Sequence, residues 1–121
     1  MNYSALTLHY FETAMGAGTL AGPDVYRGAA GSRAQGAWVQ FDVQVDSGNI
    51  RLARFLVFGC PHTIAVAAWV AEHAAGRAAR SALPERVQAL SDRFEVPSEK
   101  RGRLLVIEDA WVAALNAAVQ R

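Results

Sequence analysis

The clearest pattern in the chain is the alternation over residues 37–45: Val39, Phe41, Val43 and Val45 fall on one side, Trp38, Gln40, Asp42 and Gln44 on the other. A period of two sends successive side chains to opposite faces, so this segment is a half-buried strand. Asp46-Ser47-Gly48-Asn49 supplies turn residues, and the β-branched and aromatic run over residues 50–58 completes an antiparallel hairpin. Gly59 ends that strand. Pro61 suits the first turn of a helix, where its missing N–H has no intrahelical use. This helix runs to about residue 75, with Gly76 as its stop. Ile64, Val66, Ala67, Trp69 and Val70 leave it little polar surface, so it is buried on more than one side and packs on the sheet.

The flanking segments carry weaker signals. Asn2 and Ser4 are caps for a first helix reaching Thr13 or Ala14, with Leu6, Tyr10 and Met15, preceded by Tyr3, along one face. Residues 16–36 hold six of the ten glycines plus Pro23 and read as loop, with one weak strand around residues 24–28 at most. "GAGTLAG" within it is no phosphate loop: its spacing is wrong, it follows a helix, and no Lys-Ser/Thr pair comes after it. Pro84 opens a short helix through Leu90, Pro97 and Gly102 break a charged connector, and Leu104, Ile107, Trp111, Leu115 and Ala118 trace a closing helix. With no repeats and no long linker, residues 1–121 are expected to form a single α+β domain, a small antiparallel three-stranded sheet with helices mainly on one face.

Composition narrows the function. A 121-residue chain that is 52% hydrophobic can bury one real core. A net charge of +1, with scattered arginines and Lys100 as the sole lysine, argues against nucleic acid as a partner. No segment reads as a signal peptide or membrane span, so the expected setting is cytoplasmic and away from membranes. Cys60 is the one cysteine, which excludes an internal disulfide and a cysteine-only metal site within one chain. It falls where a strand hands over to a helix. Unpaired N–H groups at such a position lower a thiol's pKa and favour metal binding or sulfur attack, whereas the plain alternative is a small buried apolar residue. A thiol enzyme pairing Cys60 with His9 or His62 lacks a motif for a base and its orienting partner, so no enzyme is expected.

The stretch "RLARFLVFGCPHTIAVAAWVAEHAAGR" resembles the strand-to-helix segment of U-type iron–sulfur cluster assembly scaffolds (IscU/NifU N-terminal-like). "YSALTLHYFE" is similar to that family's opening helix with its His-Tyr/Phe pair, here His9-Tyr10, without the Asn-Pro-Arg-Asn that usually follows. "VPSEK" resembles the segment read by a dedicated Hsp70-type chaperone and keeps only Pro97 and Lys100 of it. "EDAWVAALNAA" resembles the closing helix. The resemblance implies an IscU/SufE-like fold and a cysteine desulfurase as partner, possession of a chaperone partner resting on Pro97 and Lys100.

Family scaffolds hold their cluster with three cysteines and an aspartate from three converging loops. Here Gln35 replaces the first cysteine, Ala37 the aspartate and Gly102-Arg103 the His-Cys of the third loop. Only Cys60 remains. One thiolate beside a glutamine and an arginine cannot enclose a cluster in the monomer. A cluster or iron across a weak homodimer, with Cys60 and His62 from each chain at an exposed first turn, or zinc through Cys60 and His9, stays open, as does no metal at all; His73 is expected on a helix flank without a ligand role. If the loops converge, Arg103 lies near Cys60 and favours its thiolate or persulfide anion. The expected function is that of a divergent scaffold-like protein with Cys60 as sulfur acceptor or residual ligand. The alternative is a cluster-free binding or regulatory module that keeps only the docking surface.

Overall fold

The computed structural model describes residues 3–80 and 82–119. Asn2, expected as a cap, lies outside the described residues. Along the chain come α1 (Ala5–Thr13), β1 (Val25–Ser32), β2 (Ala37–Asp46), β3 (Asn49–Phe58), α2 (Pro61–Ala74), α3 (Val87–Arg93), a 3-10 turn (Ser98–Lys100) and α4 (Arg101–Val119). Ser4 caps α1, its hydroxyl accepting the Thr7 N–H.

The three strands form one antiparallel sheet in the order β1-β2-β3, with Phe41 opposite both Gly28 and Phe55. The face carrying Val39, Phe41, Val43, Ala53 and Phe55 is fully buried. Helices α2 and α4 cover it, α4 lying over β1 and β2 and α2 over β3, while α1 packs on the outside of α2. The centre of this core is aromatic: the rings of Phe41 and Trp111 meet edge to face at 5.1 Å, and the Trp111 indole N–H donates to the Ala82 carbonyl.

Several expectations need correction. The glycine-rich segment contains the full eight-residue strand β1 instead of a weak strand ending at residue 28. The helix expected over residues 84–90 starts later, at Val87, because burial of Leu90 and Phe94 sets its position. Met15 falls beyond α1 and is exposed. Asp42, read as a solvent-side residue, is 1% exposed. Its carboxylate accepts from the Arg27 guanidinium at 2.7 and 2.9 Å and from the Leu20 backbone N–H at 2.8 Å.

That last bond reveals a strap. Gly18 donates its N–H to the Phe55 carbonyl and Gly16 accepts from the Phe55 N–H, extending the sheet past β3. Leu20 is then held on the outer face by Asp42, and the Asp24 carbonyl accepts from Val45. The chain thus crosses the face away from the helices before entering β1.

Candidate functional site

Cys60 is the N-cap of α2, with extended backbone dihedrals (φ −81°, ψ 170°) and Pro61 directly behind it in the first helical turn. This places its sulfur among the unpaired N–H groups of a helix start. The residue is part-buried, and the side chains bonded to its sulfur are polar. The Thr63 hydroxyl lies 3.6 Å from Sγ, and Arg103, in the first turn of α4, donates from a guanidinium nitrogen at 3.2 Å. Burial by itself would push the thiol up. The Thr63 hydroxyl, the backbone N–H groups of Thr63 and His62, and Arg103 together outweigh it, and the net position is below that of an ordinary cysteine.

Arg103 also faces an open cleft. Gln35, Ala37, Gly102 and Arg103, with Glu99 and Val106, line one open cleft of about 420 Å³. Gln35 is presented by the β1–β2 turn, whose tightness depends on Gly36 at φ +80° and on the Ser32 hydroxyl accepting the Gln35 N–H. Arg103 therefore links the cleft to the sulfur. The β1–β2 turn and the start of α4 thus share a cleft, and the Arg103 bond is what joins it to Cys60.

The histidines fall elsewhere. His62 is not on an exposed turn: it is 1% exposed, its ring set edge-on to Tyr3 at 4.8 Å, with Nδ1 lacking a hydrogen-bond partner among the described residues. Burial first, then the charges of Lys100 and Arg103, push its pKa below the usual histidine value, so it is a neutral imidazole at physiological pH. His9 is exposed on α1 and packs edge-on against Tyr10 of its own helix; among the described residues no hydrogen bond joins it to Cys60. His73 stacks on Trp69 at 4.1 Å and bonds the Trp69 carbonyl, at the flank of α2. Pro97 precedes the 3-10 turn, and the Lys100 ammonium lies 5.7 Å from the centre of the Tyr3 ring. Thr63 was missed from sequence; a hydroxyl three residues after a helix N-cap is the signal that could have found it.

These groups do not fit an iron–sulfur cluster within one chain. The donor set is one thiolate, an amide and a guanidinium already bonded to the sulfur, and a guanidinium opposes a bound cation. Among the described residues no three His, Cys, Asp or Glu side chains gather as a metal site. The arrangement suits an anionic sulfur held by hydrogen bonds.

Reactivity of Cys60 with iodoacetamide should therefore rise at a lower pH than for an ordinary thiol. Arg103→Leu should move the rate–pH curve upward and slow alkylation at neutral pH by roughly threefold to tenfold. An unchanged curve in the variant would show that the guanidinium contributes nothing to the thiolate.

The profile of the family described as NifU-like N terminal domain matches residues 2–120. The iron–sulfur cluster assembly scaffold protein IscU of Escherichia coli K12 is 29% identical over 118 residues, covering 95% of this chain and 92% of that protein. Iron sulfur cluster assembly protein 1 of Trachipleistophora hominis is 26% identical over 117 residues, covering 95% and 85%. Among solved structures, a protein described as a SUF-system iron–sulfur cluster assembly scaffold from Fervidobacterium islandicum superposes with a TM-score of 0.76 at 14% identity, covering 93% of this chain and 96% of that one. The N-terminal part of a NifU-like protein from Brucella abortus gives 0.72 at 15% identity, covering 98% and 94%. Among the described residues no helix is long and apolar enough to cross a membrane. With a profile match over almost its whole length and the same three-stranded, helix-covered fold, the chain belongs to the NifU-like N-terminal domain family of iron–sulfur cluster assembly scaffolds.

Proposed function

We propose that this protein is a single-thiol sulfur acceptor in iron–sulfur cluster assembly, in which Cys60 takes sulfane sulfur from a cysteine desulfurase and one chain does not enclose a cluster. The observation that carries the reading is the Arg103 guanidinium 3.2 Å from the sulfur of the part-buried Cys60, in the place where the family has a ligand cysteine. In the transfer, the Cys60 thiolate attacks the outer sulfur of a donor persulfide. A new S–S bond forms on Cys60, the donor's S–S bond breaks, and the donor thiolate leaves with the electron pair. The proton of the donor persulfide stays on the transferred sulfur and is then lost to water. No oxidant is consumed. Arg103 and the Thr63 hydroxyl hold negative charge on Cys60 before and after the step.

Labelled cysteine, a desulfurase and the purified protein, mixed without oxygen, should give one labelled sulfur per chain, removable by reductant and mapped by mass spectrometry to Cys60. Cys60→Ser should carry none. An unmodified Cys60 after full turnover of the desulfurase would overturn the proposal, and binding of the desulfurase without transfer would then favour the cluster-free docking module.

A further inference from the structure

Gly59 does not adopt a positive φ, so no backbone strain calls for glycine between β3 and Cys60. Space does. A Cβ built on Gly59 would lie 3.1 Å from the Thr63 Cβ, 3.2 Å from its Oγ1 and 3.3 Å from its Cγ2. The three nearest atoms all belong to this one side chain. Thr63 has little freedom to give way: it is fully buried, it stands in the first turn of α2, and its branched Cβ restricts χ1. A side chain at position 59 would therefore turn or displace Thr63.

Moving Thr63 moves the hydroxyl that faces the reacting atom. Among the described residues that hydroxyl is paired with the Cys60 sulfur, at 3.6 Å. A buried O–H without an acceptor is costly, which favours donation from Thr63 to Sγ. Arg103 meets the same sulfur from α4, and a guanidinium has donors only. Two donors converging on one sulfur suit a thiolate, which has no proton of its own to place. We propose that Gly59 is a positioning residue for sulfur transfer: its missing Cβ seats Thr63 so that the hydroxyl, together with Arg103, holds the Cys60 sulfur as an attacking anion. This inference rests on Cys60 being the sulfur acceptor. Gly59 itself reaches neither the sulfur nor its donor and acts through Thr63 alone.

The test is a double-mutant cycle read by the pH dependence of Cys60 alkylation and by the rate of sulfur loading from a cysteine desulfurase. The charged groups around the site, Arg103 on the sulfur, Glu99 in the adjoining cleft and Lys100 near the neutral His62, stay in place in every variant. Gly59→Ala should move the alkylation curve to higher pH and slow both reactions at neutral pH by roughly threefold to tenfold, as should Thr63→Ala. In the Thr63→Ala background Gly59→Ala should add nothing further, because the hydroxyl through which it acts is gone. Thr63→Ser keeps the hydroxyl and should stay within about twofold of the wild type. A wild-type curve for Gly59→Ala, or effects of the two substitutions that add, would overturn the positioning role while leaving the acceptor role standing. If Gly59→Ala is not recovered folded, Thr63→Ala decides: a wild-type curve there would leave Gly59 nothing to position. Wild-type protein that takes no sulfur from the desulfurase would overturn the acceptor role, and this inference with it.

Discussion

Gly28→Ala is expected to cost about 3 to 5 kcal/mol, with the melting temperature falling by roughly 10 °C or more. Gly28 lies on the inner face of β1 opposite Phe41, where α4 crosses the strand. A Cβ built there would overlap the Ala114 backbone nitrogen and lie 2.6 Å from the Ala113 carbonyl carbon and 2.7 Å from the Ala114 Cα. The obstacle is helix backbone, so no rotamer change relieves it. Either α4 moves away from the sheet, opening the layer around the fully buried Ile107, Trp111 and Leu115, or β1 bends. Because α4 also carries Arg103, the same displacement draws the guanidinium off the Cys60 sulfur, and thiol reactivity at neutral pH should fall together with stability. Gly102→Ala is the control: it sits in the first turn of α4 with nothing within 4 Å of its Cβ position, and it should be neutral or stabilising by up to about 1 kcal/mol. Thermal melts of the two variants decide the matter. A Gly28→Ala protein that melts with the wild type would mean that α4 does not press on β1.

The same glycine explains what was hard to read in the sequence. β2 and β3 were legible because Val39, Phe41 and Val43 alternate with polar residues, and α2 because Gly59 and Pro61 punctuate an apolar run. β1 spells Val-Tyr-Arg-Gly-Ala-Ala-Gly-Ser, which has the composition of a loop. Its small residues are there because a helix backbone lies against them, a demand of tertiary packing that local propensity does not carry. Cys60 could be placed at the helix start from Gly59 and Pro61 alone, and the approach of Arg103 to its sulfur was an expectation of the family resemblance. His62 could not be placed. A histidine at the second position of a helix is normally solvated, and its burial depends on Tyr3, 59 residues away in sequence, closing over it.

Asp42→Asn is expected to destabilise the protein by about 2 to 4 kcal/mol, the upper range for breaking a buried ion pair being reduced because the Arg27 side chain is 54% exposed. The Asp42 side chain is fully buried. Burial would raise its pKa, but the Arg27 hydrogen bonds, the Leu20 N–H, the Arg27 charge and the Gln40 amide overcome this and hold the carboxyl below its ordinary value. A carboxyl whose pKa is lower folded than unfolded binds fewer protons in the native state. Its stabilisation is complete above the unfolded pKa of about 3.9 and is lost as pH falls through the folded value. Wild-type stability should therefore drop from about pH 4 downward more steeply than that of Asp42→Asn, and the gap between the two should close in acid. Locally, exchange at the Leu20 amide, which donates to the carboxylate, should accelerate in the variant before the β2–β3 ladder is affected, because the strap opens first. Urea titrations across pH and amide exchange read these two effects. Equal slopes in acid for the two proteins would show that Asp42 does not carry the charge that pins the strap. The consequence reaches the sulfur site: a released strap uncovers the rest of the outer face and frees the β3 edge at Phe55, only five residues before Cys60.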